Sequence, residues 1–368
     1  MNLLGGWFRK NFSDPQVVIL AVLLLLGFLV IMLAGRILAP VIASVVIAYL
    51  LEEMIAPLVR AGVPRFVAVL VIFLLFLAVL LGIVLVLIPL LVGQVGQLAQ
   101  QLPFMVSALR ELLLRLPEMY PDLIDEQQAV EMVEQLRIEL LMVGQRLLAY
   151  SVVLLPTLVS LSVYVVLVPL LVFFFLKDKA RILKWFVSFL PDQRSLVNRV
   201  WQQVNVKVGG YVRGKLYEIV IVGFVSYIVF IALGLQFSVL LATATGLSVL
   251  VPYVGALVVA LPVALVAYFQ FGATNELLWV LGAYAIIQAL DGNVLAPLLL
   301  AETVNLHPNA IIVAILVFGG IWGFWGVFFA VPLASVVQAV VDAWPRRTRE
   351  HRDETATPEQ RPERQTAS

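Results

Sequence analysis

The chain has 368 residues, of which 62% are hydrophobic and 13% charged, and its formal net charge is +1. Soluble domains carry about 45–50% apolar and roughly 25% charged residues, so this composition excludes a soluble enzyme and indicates a polytopic membrane protein. The chain has no cysteine and two histidines, which excludes disulfides, thiolate sites and histidine-rich metal sites. We therefore expect no metal, no cofactor, no catalytic residues and no nucleic-acid partner.

Residues 1–92 predict three membrane spans, since each span requires about 20 mostly apolar residues. Arg9 and Lys10 precede the first apolar run, as they would in a signal peptide, but the run is long and further spans follow. We therefore interpret it as an uncleaved span. The three predicted spans are Gln16–Ala34, Ile37–Leu51 and Phe66–Val92.

Residues 93–150 predict an external hairpin of two amphipathic helices. Apolar residues recur at spacings of three and four on both sides of Pro117 and Pro121, which is the period of a helix. The segment holds four arginines and eight acidic residues, a composition that favours the outer side of the membrane. The two apolar stripes are expected to pack against each other, against other subunits or on the outer membrane surface.

The fourth predicted span, 151–176, leads into a basic segment at 177–215. That segment holds nine lysines and arginines and only two acidic residues, and such an excess marks the cytoplasmic side. Within it, Ser195–Tyr211 is amphipathic and predicts an interfacial helix. The tail, 342–368, predicts a disordered cytoplasmic segment, so we expect both termini in the cytoplasm.

Residues 216–341 predict the transport core. Leu216–Leu235 and Leu277–Leu300 each have the length of a single span. Two other apolar regions, Phe237–Phe271 and Leu306–Val341, are about 35 residues long. That length is too great for one straight span and short for two spans with a turn.

Each of the two long apolar regions is interrupted near its middle. The first contains Pro252 and Gly255, and the second has a glycine-rich run that leads to Gly326 and Pro332. Interrupted backbone at membrane depth is tolerated only where protein buries it or water reaches it, and paired interruptions indicate a transporter's binding site. We predict an all-α fold with about six full spans and two inverted, re-entrant helical hairpins. About eight full spans, or ordinary proline-kinked helices, are the alternatives.

Asp291 is the most informative residue, because it lies inside an otherwise apolar span. A charge at the bilayer centre costs about 2.5–3.5 kcal/mol on insertion scales. A helix places Gln288 on the same face, while Gly292 and Pro297 loosen the helix and let Asn293 turn toward the same cavity. Such oxygen-rich sets suit a hard cation or a polyhydroxylated solute. A structural aspartate at a helix break is the alternative. The residues predicted to line the path are Asp291, Gln288, Asn293, Pro252, Tyr253, Gly255, Pro297, Gly326 and Pro332.

Four further residues form a candidate gate: Arg213, Lys215, Glu218 and His307. Glu218 begins the fifth predicted span just after "YVRGK", and His307 precedes Pro308 at the entrance of the second broken region. An interfacial anchor and a helix-capping histidine are the alternatives. The stretch "GGYVRGKL" also matches a phosphate-binding loop, but leucine stands where Ser or Thr should hold magnesium. We therefore expect no nucleotide.

The sequence resembles the autoinducer-2 exporter family, also called the PerM-like permeases. The resemblance runs from Val17 to Val341 and rests on "GGYVRGK", "GLSVLVPYVGALVVALP" and "QALDGNVLAPLLLAETVNLHPNAIIVAILVFGGIWGFWGVFFAVP". It implies a protein of the bacterial inner membrane that moves small solutes outward and self-associates. Some members of that family are associated with autoinducer-2 export and others with exchange of sodium or lithium for protons. The position of Asp291 often carries another acidic residue in the family.

These observations predict a gradient-driven or passive transporter that exports a small, autoinducer-2-like solute between the two broken hairpins. A sodium (lithium)/proton antiporter that uses Asp291 is the close alternative. A non-transporting oligomeric scaffold, assembled through the external hairpin, is the alternative of another class. The expected partners are a small-molecule or ion substrate, the lipid bilayer and further copies of the chain.

Overall fold

The protein is described here by a computed structural model that covers residues 15–119, 164–189, 195–252, 254–300, 307–323, 326–327 and 329–343, with a few positions between 130 and 142. All regular structure in these residues is helical. Five of the described helices are long and apolar enough to cross a membrane, which makes the chain a multi-pass membrane protein. These five are Ile37–Arg60, Arg65–Met105, Val200–Ala232, Val254–Phe271 and Asn275–Leu300.

The first helix, α1, runs without a break from Pro15 to Arg60 over 46 residues. The two spans predicted at Gln16–Ala34 and Ile37–Leu51 therefore belong to one helix. The prediction ended the first span at Ala34 and began a second at Ile37, but the helix continues through this point, and Pro40 lies inside it. The Ser44 hydroxyl donates a hydrogen bond to the Pro40 carbonyl at 2.6 Å. This bond is the usual contact of a serine with the carbonyl one turn earlier, whereas the carbonyl that Pro40 leaves without a helical donor is that of Arg36.

The next helical rod extends the third predicted span far beyond its expected end. It comprises α2 (Arg65–Gly82), a π-helical turn (Ile83–Leu87) and α3 (Ile88–Met119). The first arm of the predicted external hairpin is thus continuous with the membrane helix. The second arm falls largely outside the described residues.

The fourth span is described from Tyr164 to Lys177, here α4. A one-residue bend at Asp178 separates it from α5, Lys179–Ser188. Helix α4 packs on α1 and α2 through a shared apolar core. The buried members of this core are Ala48, Ile55, Ala68, Val69, Ile72, Val172 and Leu176.

The central element is α6, which runs from Ser195 to Ala232. It joins the predicted interfacial helix and the fifth span in one continuous helix, and Val200 and Tyr211 of the amphipathic part are buried. The interfacial placement of Ser195–Tyr211 stays a prediction. Helix α6 contacts α1 and most of the elements that follow it.

The two long apolar regions are each split into two helices near the predicted interruptions. The first forms α7 (Ser238–Ser248) and α8 (Val254–Phe271). At 11 residues, α7 is about 16 Å long and too short to cross a hydrocarbon core of about 30 Å.

The span that follows α8 contains a π-helical turn. It comprises α9 (Asn275–Leu290), a π-helical turn (Asp291–Leu295) and α10 (Ala296–Leu300).

The second long region forms α11 (Pro308–Trp322) and α12 (Ala330–Ala343). At 15 and 14 residues, both are shorter than a full span. The helix lengths are compatible with re-entrant hairpins, but the re-entrant arrangement and the number of spans stay predictions.

Both hairpins close through the same kind of glycine contact. A Cβ on Gly255 would collide with the backbone carbonyl of Ser248, and a Cβ on Gly326 would collide with that of Phe318. In each case the glycine lies just after the break and rests on the backbone near the end of the preceding helix. The similar stretches "GALVVALP" and "GVFFAVP" therefore share a packing role, which is close approach of backbone to backbone.

We predict that Gly255→Ala and Gly326→Ala each destabilise the protein by at least the roughly 1–3 kcal/mol typical of overpacking, because rigid backbone blocks the new methyl group. Gly282→Ala is the matched control, since a Cβ there meets nothing within 4 Å. Thermal unfolding in detergent measures the difference. Equal midpoints for all three variants would contradict the packing role.

Candidate functional site

A buried ion pair lies in the middle of α6. The Lys215 ammonium donates to the Glu218 carboxylate, with Nζ to Oε1 at 2.8 Å. Lys215 is 6% exposed and Glu218 only 2%. Two ionised side chains this deep in a membrane helix are expensive and are usually found where function requires them.

Lys215 also forms a hydrogen bond with the backbone at the break of the first hairpin. Its Nζ donates a second hydrogen bond, at 2.9 Å, to the carbonyl oxygen of Val249, which follows the last residue of α7. The last carbonyls of a helix have no partner within the helix. One lysine therefore binds both a carboxylate on its own helix and a backbone oxygen that the helix break sets free.

Asp291 joins this pair from the other side. It begins the π-helical turn after α9, and it interacts electrostatically with both Lys215 and Glu218. Two buried oxygens, Asp291 Oδ1 and Glu218 Oε2, have no hydrogen-bond partner in the described part of the chain. The cluster formed by Lys215, Glu218 and Asp291, hereafter the charge cluster, thus has one cation, two carboxylates and two acceptor atoms to spare.

Apolar residues from the same elements pack together next to the charge cluster in the sequence. Val222 of α6, Val249 at the hairpin break and Ile287 of α9 are buried together, with Ile219 and Leu295 packed against them. Apolar neighbours of this kind lower the local dielectric and strengthen nearby electrostatic interactions.

A second polar contact joins α9 to the same hairpin. The Tyr284 hydroxyl donates to the Ala256 carbonyl at 2.5 Å, and the Gln288 amide donates to the Tyr284 hydroxyl at 2.9 Å. Tyr284, Gln288 and Asp291 lie on one face of the helix. The predicted grouping of Gln288 with Asp291 is therefore present, and this face is directed at the first hairpin.

Asn293 and Pro297 do not join the charge cluster. The Asn293 amide donates to the Ala289 carbonyl of its own helix at 2.8 Å, and both Asn293 and Pro297 are exposed. The expectation that Asn293 turns toward the Asp291 cavity is not met, because the side chain satisfies a carbonyl one turn earlier instead.

The four candidate gate residues separate into two groups. Lys215 and Glu218 belong to the charge cluster, whereas Arg213 points to α1. Its guanidinium pairs with Glu53 at 3.0 Å and lies over the Tyr49 ring, 5.9 Å from the centroid. His307 caps α11, where its Nδ1 accepts a hydrogen bond from the Asn309 backbone at 3.3 Å.

The stretch "GGYVRGK" has a packing role in the structure. It lies within the continuous helix α6, with no phosphate-binding turn. A Cβ on Gly214 would lie 2.6 Å from the Leu300 side chain and 3.0 Å from the Leu299 carbonyl oxygen. Glycine thus lets α10 approach α6 one residue before Lys215, which brings the end of the interrupted span close to the charge cluster.

The residues predicted at the breaks are positioned by the two hairpins. Pro252 lies in the turn between α7 and α8, and Tyr253 lies outside the described residues. Gly326 and Pro332 are buried in the second hairpin. That hairpin packs α12 on α6, with a hydrogen bond of 3.2 Å from Lys207 to Gln338. Lys207 is eight residues before Lys215, about 12 Å along the helix.

The sequence carries a signal for the Lys215–Glu218 pair. A lysine and a glutamate three residues apart are neighbours on a helix, and both precede a long apolar run. Their link to Asp291 depends on how α6 and α9 pack. In the described residues, no group of three His, Asp or Glu side chains is placed to hold a metal ion.

Comparison with known proteins assigns the family. The model of the AI-2E family transporters matches residues 18–346. The chain belongs to this family. It is 42% identical over 345 residues to a protein of Escherichia coli strain K12 named "Putative permease PerM", which covers 94% of this chain and 98% of that protein.

More distant relatives occur in Bacillus subtilis strain 168. "Putative transport protein YrrI" is 28% identical over 85% of this chain and 88% of its own length, and "Putative transport protein YueF" is 26% identical over 85% and 86%. The family and the names of these relatives indicate a membrane transport protein rather than an enzyme.

We predict that Lys215→Met destabilises the protein by about 3–5 kcal/mol, since it leaves the buried Glu218 carboxylate unpaired. The double variant Lys215→Met/Glu218→Leu should recover part of that loss because the Glu218 carboxylate is removed with its partner, while Asp291 and the Val249 carbonyl still lack the lysine. Unfolding in detergent, analysed as a double-mutant cycle, measures the coupling. Lys184→Met, at an exposed lysine, should change stability by less than about 0.5 kcal/mol. A Lys215→Met variant as stable as Lys184→Met would contradict the ion pair.

Proposed function

We propose that this chain is a gradient-driven exporter of a small, autoinducer-2-like solute. Its path passes the break of the first hairpin, where the charge cluster is the polar contact. The observation that carries the proposal is the pair of buried carboxylate oxygens, Glu218 Oε2 and Asp291 Oδ1, which have no partner in the described part of the chain.

The energetics support a functional rather than a purely structural role. An unsatisfied buried acceptor costs about 1–3 kcal/mol, and more when it is charged. Ion pairs of this kind can often be replaced by apolar residues with no loss of stability. A cluster with two acceptors to spare is therefore poorly explained as a stabilising feature. It is well explained as a site that a proton, a cation or a polar solute completes.

The geometry suggests how occupancy couples to movement of the hairpin. Lys215 divides its hydrogen bonds between Glu218 and the Val249 carbonyl, and Asp291 competes for the same positive charge. When a proton or cation neutralises a carboxylate, the attraction between that carboxylate and Lys215 weakens. The hydrogen bond from Lys215 to the Val249 carbonyl then changes in strength. The hairpin break then shifts between two arrangements, and a solute with several hydroxyls can exchange with the freed acceptors.

Sodium (lithium)/proton antiport is the second candidate, and the charge balance of the cluster favours it. Two carboxylates face one lysine, so the ionised cluster carries a net charge of −1. Such a site attracts a hard cation, for which carboxylate and carbonyl oxygens are the preferred ligands. In this alternative the same cluster binds a proton and a cation in turn, and no organic solute is required.

We further propose the bacterial inner membrane as the location, with the basic residues from Lys177 to Arg199, which precede the span Val200–Ala232, and the C-terminus in the cytoplasm. The excess of lysine and arginine in that segment supports this orientation. The expected cytoplasmic N-terminus required two separate first spans, whereas α1 is a single helix. We also propose that the chain self-associates through residues 93–150. If it does not transport, the alternative is an oligomeric scaffold, and the following experiment distinguishes the two.

We predict that Asp291→Asn and Glu218→Gln each abolish ion-coupled flux in liposomes, whereas Asn293→Ala leaves it within about twofold of wild type. Each of the first two substitutions removes a carboxylate of the charge cluster, whereas the Asn293 amide hydrogen-bonds the Ala289 carbonyl of its own helix. A pH-sensitive dye inside the vesicles reports proton movement under imposed sodium, lithium or potassium gradients. Efflux of a labelled furanone diol under a pH gradient is measured in parallel.

The two transport candidates give different results. Diol efflux that needs the pH gradient and both carboxylates supports export, and cation-dependent proton flux without diol supports antiport. Neither flux in correctly inserted wild type would rule out both and leave the scaffold. Flux that persists in Asp291→Asn and Glu218→Gln would show that transport does not require the charge cluster.

A further inference from the structure

Helix α5, Lys179–Ser188, has two chemically distinct faces that play no part in the transport path. Ile182, Trp185, Phe186 and Phe189 follow each other at helical spacing and form an apolar face. Arg181, Lys184 and Ser188 form a polar face beside it by the same spacing. The sequence alone places both sets of residues in the basic segment, but it does not show that this short helix is separate from α6.

The apolar face of α5 is uncovered in the described part of the chain. Trp185, Phe186 and Phe189 are 57%, 59% and 68% exposed. The Trp185 ring contacts both phenylalanine rings edge to face. Its centroid lies 4.9 Å from that of Phe186 and 4.8 Å from that of Phe189. No residue of the helix is buried. A compact aromatic cluster of this size requires an apolar environment that the described protein does not supply.

The position of α5 identifies that environment. It begins two residues after Lys177, the end of the apolar membrane helix α4. Its first residue is tied to the helical bundle, because Lys179 pairs with Glu52 at 3.1 Å and Arg65 pairs with the same carboxylate at 3.0 Å. Helix α5 therefore lies where the bilayer meets water, and tryptophan is enriched at that level of membrane proteins.

The polar face of α5 carries charges suited to a phosphate headgroup. Arg181 and Lys184 line a hollow together with Trp185 and Ser188, and neither basic side chain has an ion-pair partner among the described residues. An arginine and a lysine beside an aromatic ring at the membrane surface match the phosphate of an anionic lipid whose acyl chains lie along the apolar face. The Ser188 hydroxyl donates to the Trp185 carbonyl at 2.7 Å, so its oxygen can accept from a hydroxyl of a glycerol headgroup.

We propose that α5 is a binding site for an anionic phospholipid, in which Arg181, Lys184 and Ser188 contact the headgroup while Trp185, Phe186 and Phe189 lie among the acyl chains. The occupant is a lipid rather than a protein partner because the site adjoins the end of a membrane helix. Its two faces also match the two parts of a lipid. The proposal does not depend on the transported solute.

Quenching of tryptophan fluorescence by brominated lipids tests the site in the full chain reconstituted in phosphatidylcholine vesicles. The Trp185 signal is the difference between wild type and Trp185→Phe. Brominated phosphatidylglycerol should quench that signal at a far lower mole fraction than brominated phosphatidylcholine. Each basic residue near an anionic surface contributes about fivefold in affinity, so Arg181→Gln/Lys184→Gln should weaken the preference by about 30-fold.

Three control measurements make the result specific to the site. The charge-preserving exchange Arg181→Lys/Lys184→Arg should retain most of the preference. Arg60→Gln, which neutralises an exposed arginine outside α5, should not change it. Millimolar inorganic phosphate should not remove it either.

Four results would overturn the proposal. Equal quenching by both lipids would mean that Trp185 lies in the membrane without a headgroup site. No quenching by either lipid would mean that α5 faces water or a protein. Loss of the preference in phosphate would assign the charges to a free anion. Unchanged selectivity in Arg181→Gln/Lys184→Gln would remove those two residues from the site.

Discussion

A helix that is interrupted inside a membrane protein exposes backbone carbonyls that lipid cannot satisfy, and the transport core is organised around this constraint. The Val249 carbonyl lies at the break between α7 and α8, and Lys215 donates to it. Tyr284 donates to the Ala256 carbonyl on the other side of the same break. Two side chains from two different helices, α6 and α9, therefore hold one hairpin. Because unsatisfied backbone groups in hydrocarbon cost several kcal/mol each, the position of the hairpin is strongly coupled to both helices.

The choice of a lysine for this role has consequences for the rest of the site. A buried ammonium requires a counter-charge, and Glu218 provides it one turn along α6. Asp291 adds a second carboxylate, so the cluster has more negative than positive charge and two acceptor oxygens to spare. A protein that needed only a donor for a backbone carbonyl could use a neutral group, such as the tyrosine hydroxyl that donates to Ala256. The surplus of ionisable groups is what connects a structural requirement of the fold to the proposed coupling of solute movement with an ion gradient.

The comparison of sequence and structure shows which inferences depend on local chemistry and which on packing. The helix breaks near Pro252 and Gly255 were predictable, since proline and glycine act on the backbone where they stand. The importance of Asp291 was predictable from the cost of a charge in an apolar run. The contact between Lys215 and Val249 was not, because the two residues are 34 positions apart and meet only when α6 packs on α7. The continuity of α1 through Pro40 and the inward turn of the Asn293 amide onto its own helix depend on small local preferences that the sequence pattern does not resolve.

The central claim is that the charge cluster lies on a path that water and solute can enter. Because the natural chain contains no cysteine, single substitutions Glu218→Cys and Asp291→Cys can be tested with a charged, membrane-impermeant thiol reagent that reacts only in water. Leu298→Cys, at an exposed apolar position of α10, is the control that faces lipid. We predict that the reagent modifies Glu218→Cys and Asp291→Cys in intact vesicles but does not modify Leu298→Cys. Protection of both cluster positions, with full reaction after denaturation, would show that the cluster is sealed inside the protein and would contradict the proposed path.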